Sequence, residues 1–163
     1  MSRGHRGVRR INPPVSRFRL EIRPSRIAGL GVFAREVIPR RRLVIEFTGD
    51  RITVAEALRR FRLRGHPKRV SFAWLNRNWI IDPWNGNGSD YINHSCAPNL
   101  YPCKLRGHIL LFSLKRIRPG EEVTFDYKLH PVKPGVACHC GSPRCRGVMN
   151  HVVRKTRRRK RLQ

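Results

Sequence analysis

The sequence predicts a mainly β domain with one short helix, and three observations support that. Apolar residues recur in short alternating runs, each closed by glycine, proline or a polar cluster. Only residues 53–65 keep a helical spacing. Three of the five cysteines crowd into a Cys-x-Cys-x4-Cys cluster, Cys138, Cys140 and Cys145, and so supply a staple. A chain of 163 residues that is 39% hydrophobic builds one modest core and benefits from such a staple. Numerous short strands and a single helix imply irregular connections.

Residues 1–17 are Arg-, Gly- and Pro-rich with little apolar content, which predicts a basic flexible arm ahead of a domain over 18–130. Phe18 to Ile22 alternates as a strand, stopped by Pro24 and Ser25. Gly29-Leu30-Gly31 permits a tight turn and close approach of backbone to a ligand. Leu43 to Phe47 is a second strand, closed by Gly49. In the helix, Thr53 and Glu56 form a capping box, and Val54, Leu58 and Phe61 make the apolar stripe. Gly65 and Pro67 stop it. Arg59, Arg60, Arg62 and Arg64 fall off the stripe and read as a solvated face. Residues 70–82 suggest a hairpin around Asn76-Arg77-Asn78, followed by a loop from Asp82 to Gly88. Ile109 to Leu114 reads as a buried strand, Arg118 to Glu121 as a turn, and Val123 to Tyr127 as a further strand. A cysteine-bearing segment follows over 131–150, then a basic tail over 151–163.

The charge is extreme: 36 Lys and Arg against 10 Asp and Glu, a formal net of +26. Residues 151–163 hold seven Lys/Arg and residues 1–19 six Arg, with no acid in either. Such a field predicts a polyanionic neighbour, foremost nucleic acid. No apolar run is long enough for a membrane span, and the basic N-terminus lacks the apolar stretch of a secretory signal. These features point to an intracellular, non-secreted monomer in a reducing compartment, where clustered cysteines favour metal over disulfide.

Asn93-His94-Ser95-Cys96 places an amide, an imidazole, a hydroxyl and a thiol in succession. A core strand cannot satisfy four such groups, whereas a loop gripping a ligand and a metal can. Four thiolates close a structural zinc shell. Cys96 is the preferred fourth ligand beside Cys138, Cys140 and Cys145; Cys103 is the alternative, otherwise a small buried hydrophobe.

Asn93-His94-Ser95-Cys96-Ala97-Pro98-Asn99, then Gly120-Glu121-Glu122-Val123-Thr124-Phe125-Asp126-Tyr127, then Cys138-His139-Cys140-Gly141-Ser142-Pro143-Arg144-Cys145-Arg146-Gly147, resembles a SET-domain protein-lysine methyltransferase with its post-SET zinc cluster. Gly29-Leu30-Gly31-Val32-Phe33 and Glu46-Phe47-Thr48-Gly49 fall where that family places its opening motifs. The resemblance runs from Phe18 to Asn150, with no cysteine-rich pre-SET module upstream. It implies a SET-domain β-fold with a C-terminal pseudoknot, one short insert helix and a post-SET zinc-binding segment. It further implies S-adenosylmethionine as methyl donor and one structural Zn²⁺. Tyr127 would be catalytic, and Phe125, Tyr91 and Trp84 would line the substrate channel, with core packing the other reading of Trp84. Gly29, Gly31, Val32, Asn93, His94, Arg146 and Gly147 would hold the cofactor. Phenylalanine at 125 implies di- or trimethylation.

Two positions depart from the family pattern. Asp90-Tyr91 stands where many relatives carry Arg-Phe, and Phe47 where many carry tyrosine. The substrate expected is a lysine-bearing, nucleic-acid-associated protein, histone or histone-like. The chain would then work at chromatin in a eukaryote or at the nucleoid or in the cytoplasm of a prokaryote. The competing reading is a catalytically weak SET scaffold that binds nucleic acid or chromatin.

Overall fold

The computed structural model describes residues 9–11, 16–64, 72–129 and 134–151. The expected stop of the helix at Gly65 and Pro67, and the basic tail after His151, lie outside the described residues. The strands are β1 Arg9–Ile11, β2 Leu20–Pro24, β3 Leu30–Ala34, β4 Leu43–Glu46, β5 Asp50–Thr53, β6 Ala73–Trp74, β7 Trp79–Asp82, β8 Asn93–His94, β9 Leu100–Leu105, β10 His108–Ser113 and β11 Glu122–Phe125. The helix is α1, Val54–Leu63.

Sequence order is broken at β11, and that break builds the site. The large sheet runs β1-β2-β3-β11-β9-β10-β4, with β8 also pairing β11. β11 lies antiparallel to β3 and parallel to β8 and β9, with Phe125 opposite both His94 and Leu100. Asn99, which is buried, reinforces the insertion: its Nδ2 donates to the Glu122 carbonyl at 2.8 Å and its Oδ1 accepts from the Thr124 N–H at 2.8 Å. A side chain thus takes the place of a strand partner, which keeps β11's buried polar groups satisfied. The alternating residues Leu20, Ile22, Val32, Val44, Leu111 and Val123 fill the core under this sheet, together with Ile92, Leu100 and Ile117.

A second sheet, β5-β7-β6, is the predicted hairpin joined by one more strand. Its core is Phe47, Leu75, Ile81 and Ile109, and α1 covers a smaller group of Ile52, Ala57 and Ile80. The Thr53 hydroxyl caps α1, accepting from the Glu56 N–H at 3.2 Å.

The helix is rotated from its expected face. Leu58 is 51% exposed, while Ala57 is buried. Arg60 and Arg64, expected on a solvated face, turn towards the sheet. Arg60 Nη1 lies 2.9 Å and Arg64 Nη2 2.8 Å from Asp82 Oδ2, whose side chain is 1% exposed. Arg60 also reaches Asp50 at 2.6 Å and Glu56 at 2.8 Å. A buried carboxylate without a cation is costly, so the helix presents two. The arm expected over residues 1–17 is anchored where it is described: β1 pairs β2, and Ile11 is 3% exposed.

Candidate active site and metal centre

β8 and the end of β11 carry the chemistry, and Asn93 begins it. Its Nδ2 donates to Glu122 Oε1 at 2.8 Å, to the Leu30 carbonyl at 3.1 Å and to the Ala28 carbonyl at 3.3 Å. Glu122 also accepts from the Ser25 hydroxyl, at 2.8 and 2.9 Å. One carboxylate therefore ties the glycine turn to the Asn-His strand. Gly31 makes room for it: a Cβ there would stand 2.2 Å from Glu122 Oε1. Gly29 differs, with φ +47 and no atom within 4 Å of a Cβ position, so a ligand can lie against bare backbone there.

His94 is 1% exposed and anchors the other end. Its Nδ1 accepts from the Tyr127 N–H at 3.1 Å, so the ring proton sits on Nε2, 3.4 Å from Cys96 Sγ. Burial pushes its pKa down, partly opposed by the charge of Asp126, and the ring is neutral at pH 7. Tyr127 is held on three sides. Its hydroxyl donates to the Ile92 carbonyl at 2.8 Å, and its ring lies 5.3 Å from that of His94 and 4.9 Å from that of Phe125.

The structure brings four thiols together: Cys96, Cys138, Cys140 and Cys145 have sulfurs all within 4.8 Å of one another. Cys96 Sγ is 3.7 Å from Cys138 Sγ and 4.0 Å from Cys145 Sγ. A tetrahedron of ~2.3 Å Zn–S bonds has edges of about 3.8 Å, so the set fits a closed zinc shell. Cys103 lies outside the cluster, half-buried on β9. Backbone N–H groups point at the sulfurs, Cys96 to Cys140 at 3.5 Å, Arg146 to Cys96 at 3.5 Å and Gly147 to Cys145 at 3.4 Å. Burial pushes the Cys138 thiol up to about 12. At Cys140 the same push is overcome by hydrogen bonds from Cys96, from the Ser142 backbone and from neighbouring thiols, and the thiol falls to about 6.

Arg146 links this centre to β11. Its guanidinium grips Asp126 bidentately at 2.7 and 2.9 Å and donates to the Met149 carbonyl at 3.0 Å. Burial raises the Asp126 carboxyl, but the Arg146 hydrogen bonds outweigh it and hold the carboxyl below its ordinary value.

Most of the expected site residues converge. Tyr127, Phe125, Asn93, His94, Gly29, Gly31, the four thiols, Arg146 and Gly147 occupy adjoining segments. Tyr91 packs against the main core next to them. Three placements can be described further. The Val32 side chain is wholly buried in the main core with Leu20, Ile22 and Val123, while Gly29 at the turn is exposed. The Arg146 guanidinium pairs with Asp126. Trp84 is not a core residue: it is 66% exposed, with the Arg64 guanidinium 4.4 Å over its ring. The sequence reading missed Glu122 and Asp126 as site residues. Their signal was scarcity, since each of ten acids in so basic a chain has many suitors.

Comparison with known proteins matches this arrangement. The model of the SET domain family matches residues 29–128. A protein named "Histone-lysine N-methyltransferase, H3 lysine-4 specific" from Schizosaccharomyces pombe is 36% identical over 138 residues, covering 80% of this chain and 15% of its own length. "Histone-lysine N-methyltransferase trithorax" from Drosophila virilis is 35% identical over 134 residues, 77% of this chain and 3% of that protein. "Histone-lysine N-methyltransferase 2D" from Homo sapiens is 35% identical over 134 residues, again 77% of this chain but 2% of that protein. The chain thus spans between 2% and 15% of the length of these relatives. On the matched family model, the order of its motifs and the meeting of β8, β11 and the four thiols, the chain belongs to the SET-domain family.

Proposed function

We propose that this chain is an S-adenosylmethionine-dependent protein-lysine N-methyltransferase with one structural Zn²⁺, acting on a nucleic-acid-associated protein, histone or histone-like. The placement of the Tyr127 hydroxyl carries the proposal. Bound S-adenosylmethionine supplies an electrophilic methyl group. Gly29's open backbone and the Asn93 region are the part of this chain that would receive it. Tyr127's phenolic proton is committed to the Ile92 carbonyl, so its oxygen offers lone pairs and acts as an acceptor that orients the incoming amine. A phenol of pKa about 10 is a poor general base at neutral pH. A lysine of pKa about 10.4 must arrive neutral, and the apolar rings of Phe125 and Tyr91 disfavour its charged form. His94 holds the Tyr127 backbone and takes no proton.

The names of the relatives support the substrate class, and the +26 charge supports a nucleic acid partner and residence at chromatin or nucleoid. Among the described residues no helix is long and apolar enough to cross a membrane.

The test is Tyr127→Phe. It removes only the hydroxyl, and methyl transfer is expected to fall on the order of a hundredfold or more, with the fold intact and a stability loss of about 1–3 kcal/mol from the missing bond to Ile92. Near-normal turnover in the folded variant would move the chemistry elsewhere. The second reading, a SET scaffold binding chromatin with weak catalysis, draws on Asp90 and on Phe47, which is 4% exposed in the second core. Calorimetric titration with S-adenosylmethionine separates the two readings: the enzyme binds it well, and a catalytically weak scaffold binds it weakly or not at all.

A further inference from the structure

Five cations stand together on two turns that the fold presses against each other. The β3–β4 connection carries Arg40, Arg41 and Arg42, and the β10–β11 connection carries Lys115 and Arg116; all five are exposed. A bridge between Ile38 and Ile117, both wholly buried, joins the turns. Ser113, also wholly buried, pins them. Its hydroxyl donates to the Pro39 carbonyl at 2.6 Å and accepts from the Arg42 N–H at 2.9 Å, while its carbonyl accepts from the Arg41 N–H at 2.9 Å. Arg40 Nε donates to the Leu114 carbonyl at 3.0 Å. Arg41 is held at φ 59, a region that non-glycine residues seldom enter. Buried hydrogen bonds therefore set where the arginines stand.

Several cations elsewhere have carboxylate partners: Arg19 with Glu36, Arg23 and Arg35 with Glu21, Arg60 and Arg64 with Asp82. None of the five is in an ion pair among the described residues, and Arg118 and Glu121, next along the turn, offset each other in charge. Like charges gathered at this density repel unless an anion sits among them. Ser113 pairs Leu100, and Leu100 pairs Phe125, so the knuckle is pinned two strands across the sheet from Phe125, roughly 10 Å between those backbones.

We infer that this knuckle is a phosphodiester-backbone contact, by which the folded domain docks on nucleic acid. Four of the five are arginines, whose planar guanidinium matches phosphate oxygens bidentately. Two turns side by side exceed what one small phosphate would use, and suit successive phosphates along a backbone. Nothing in the group reads bases, so binding is sequence-independent. The contact does not depend on the proposed function.

The experiment uses the full chain and a random-sequence 20-base-pair duplex DNA, followed by fluorescence anisotropy across a salt series without cofactor or substrate. R42Q/K115Q/R116Q removes three cations whose side chains make no hydrogen bond or ion pair among the described residues. R62Q/R77Q/K104Q removes the same charge from α1, the β6–β7 hairpin and β9. The knuckle variant is expected to flatten the slope of log affinity against log salt by up to about 2.7, at about 0.9 per phosphate contact, and the control by less than one. Equal changes in the two variants, or none in either, would overturn the inference. So would an unchanged DNA slope with binding lost only to phosphatidylserine vesicles or to poly-glutamate. Methylation of a short free lysine peptide is assayed in parallel and should match the parent in the knuckle variant. A parent inactive on every peptide and protein would count against the methyltransferase reading and leave the DNA slopes standing.

Discussion

A carboxylate that accepts hydrogen bonds from two segments far apart in the chain fixes both, and Glu122 is placed to do so. Ser25 lies 97 residues from it and Asn93 29 residues. Replacing Glu122 by alanine leaves the Ser25 hydroxyl without its carboxylate and takes from Asn93 the shortest of its three bonds, a loss of about 1–3 kcal/mol. We expect S-adenosylmethionine affinity to fall about tenfold or more, with Glu122→Gln intermediate, because the amide still offers one acceptor oxygen. Gly31→Ala should be harmful in the parent, where its Cβ meets the carboxylate, and much milder in the Glu122→Ala background. Calorimetry on the four proteins measures this coupling; strictly additive losses would show that the two residues act separately. Phe125 carries a different prediction. Without a hydroxyl, its ring holds no water beside the amine, so the parent is expected to add two or three methyl groups and Phe125→Tyr to stop at one. Mass spectrometry of the product decides, and a parent that stops at one methyl on every good substrate contradicts it. The Gly-Glu-Glu and Phe-Asp-Tyr motifs were legible in the sequence, but the partners of Glu122 and Asp126 were not, because each lies on a segment that sequence spacing does not relate to it.

α1 shows how an element's orientation escapes a periodicity argument. Its existence, its Thr53 cap and its length followed from sequence, but the face it buries depends on a carboxylate across the sheet. A stripe of Val54, Leu58 and Phe61 is right for an apolar floor; Asp82 makes the floor partly ionic and draws Arg60 and Arg64 inward. β9 was missed for a related reason. Pro102 lies in its middle, and a proline argues against a central strand. Beyond Leu100, β9 pairs only β10 among the described residues, so the strand is an edge there and tolerates it. Asp82→Asn tests the clamp. Removing one partner of a buried pair costs about 3 kcal/mol, and chemical denaturation at pH 7 should show a loss of that order. At Asp82 burial raises the pKa, yet the Arg64 and Arg60 hydrogen bonds prevail and hold it below the ordinary 3.8. A depressed carboxyl contributes its stability above the unfolded value, and that contribution is lost as pH falls through the folded one. The gap between parent and Asp82→Asn should therefore be full at pH 5 to 7 and shrink below pH 3.8. A gap that stays constant down to pH 2.5 would mean that packing, not charge, holds the helix.

At the scale of the molecule, the order of motifs along the chain was enough to pair Cys96 with three cysteines more than forty positions later. What that order could not show is how the metal centre reaches the catalytic strand. Two routes are visible. Cys96 is two residues from His94, whose imidazole lies 3.4 Å from its sulfur and receives the Tyr127 N–H. Arg146 follows Cys145 and grips Asp126, the residue before Tyr127. Metal removal should therefore disturb Tyr127 from both sides while β2, β3, β9 and β10 keep their own core. We expect the purified protein to hold about one zinc per chain. Chelation, or Cys140→Ser, should expose residues 134–151 to protease and lower cofactor affinity at least tenfold. The far-ultraviolet signature of the sheet should be retained. Arg146→Ala should reproduce part of the activity loss with zinc still bound, because it cuts one route and leaves the thiolate shell whole. Protein purified without chelator and found metal-free would sink the zinc assignment. Full activity in Arg146→Ala would instead leave the Cys96–His94 route as the sole connection between the metal and Tyr127.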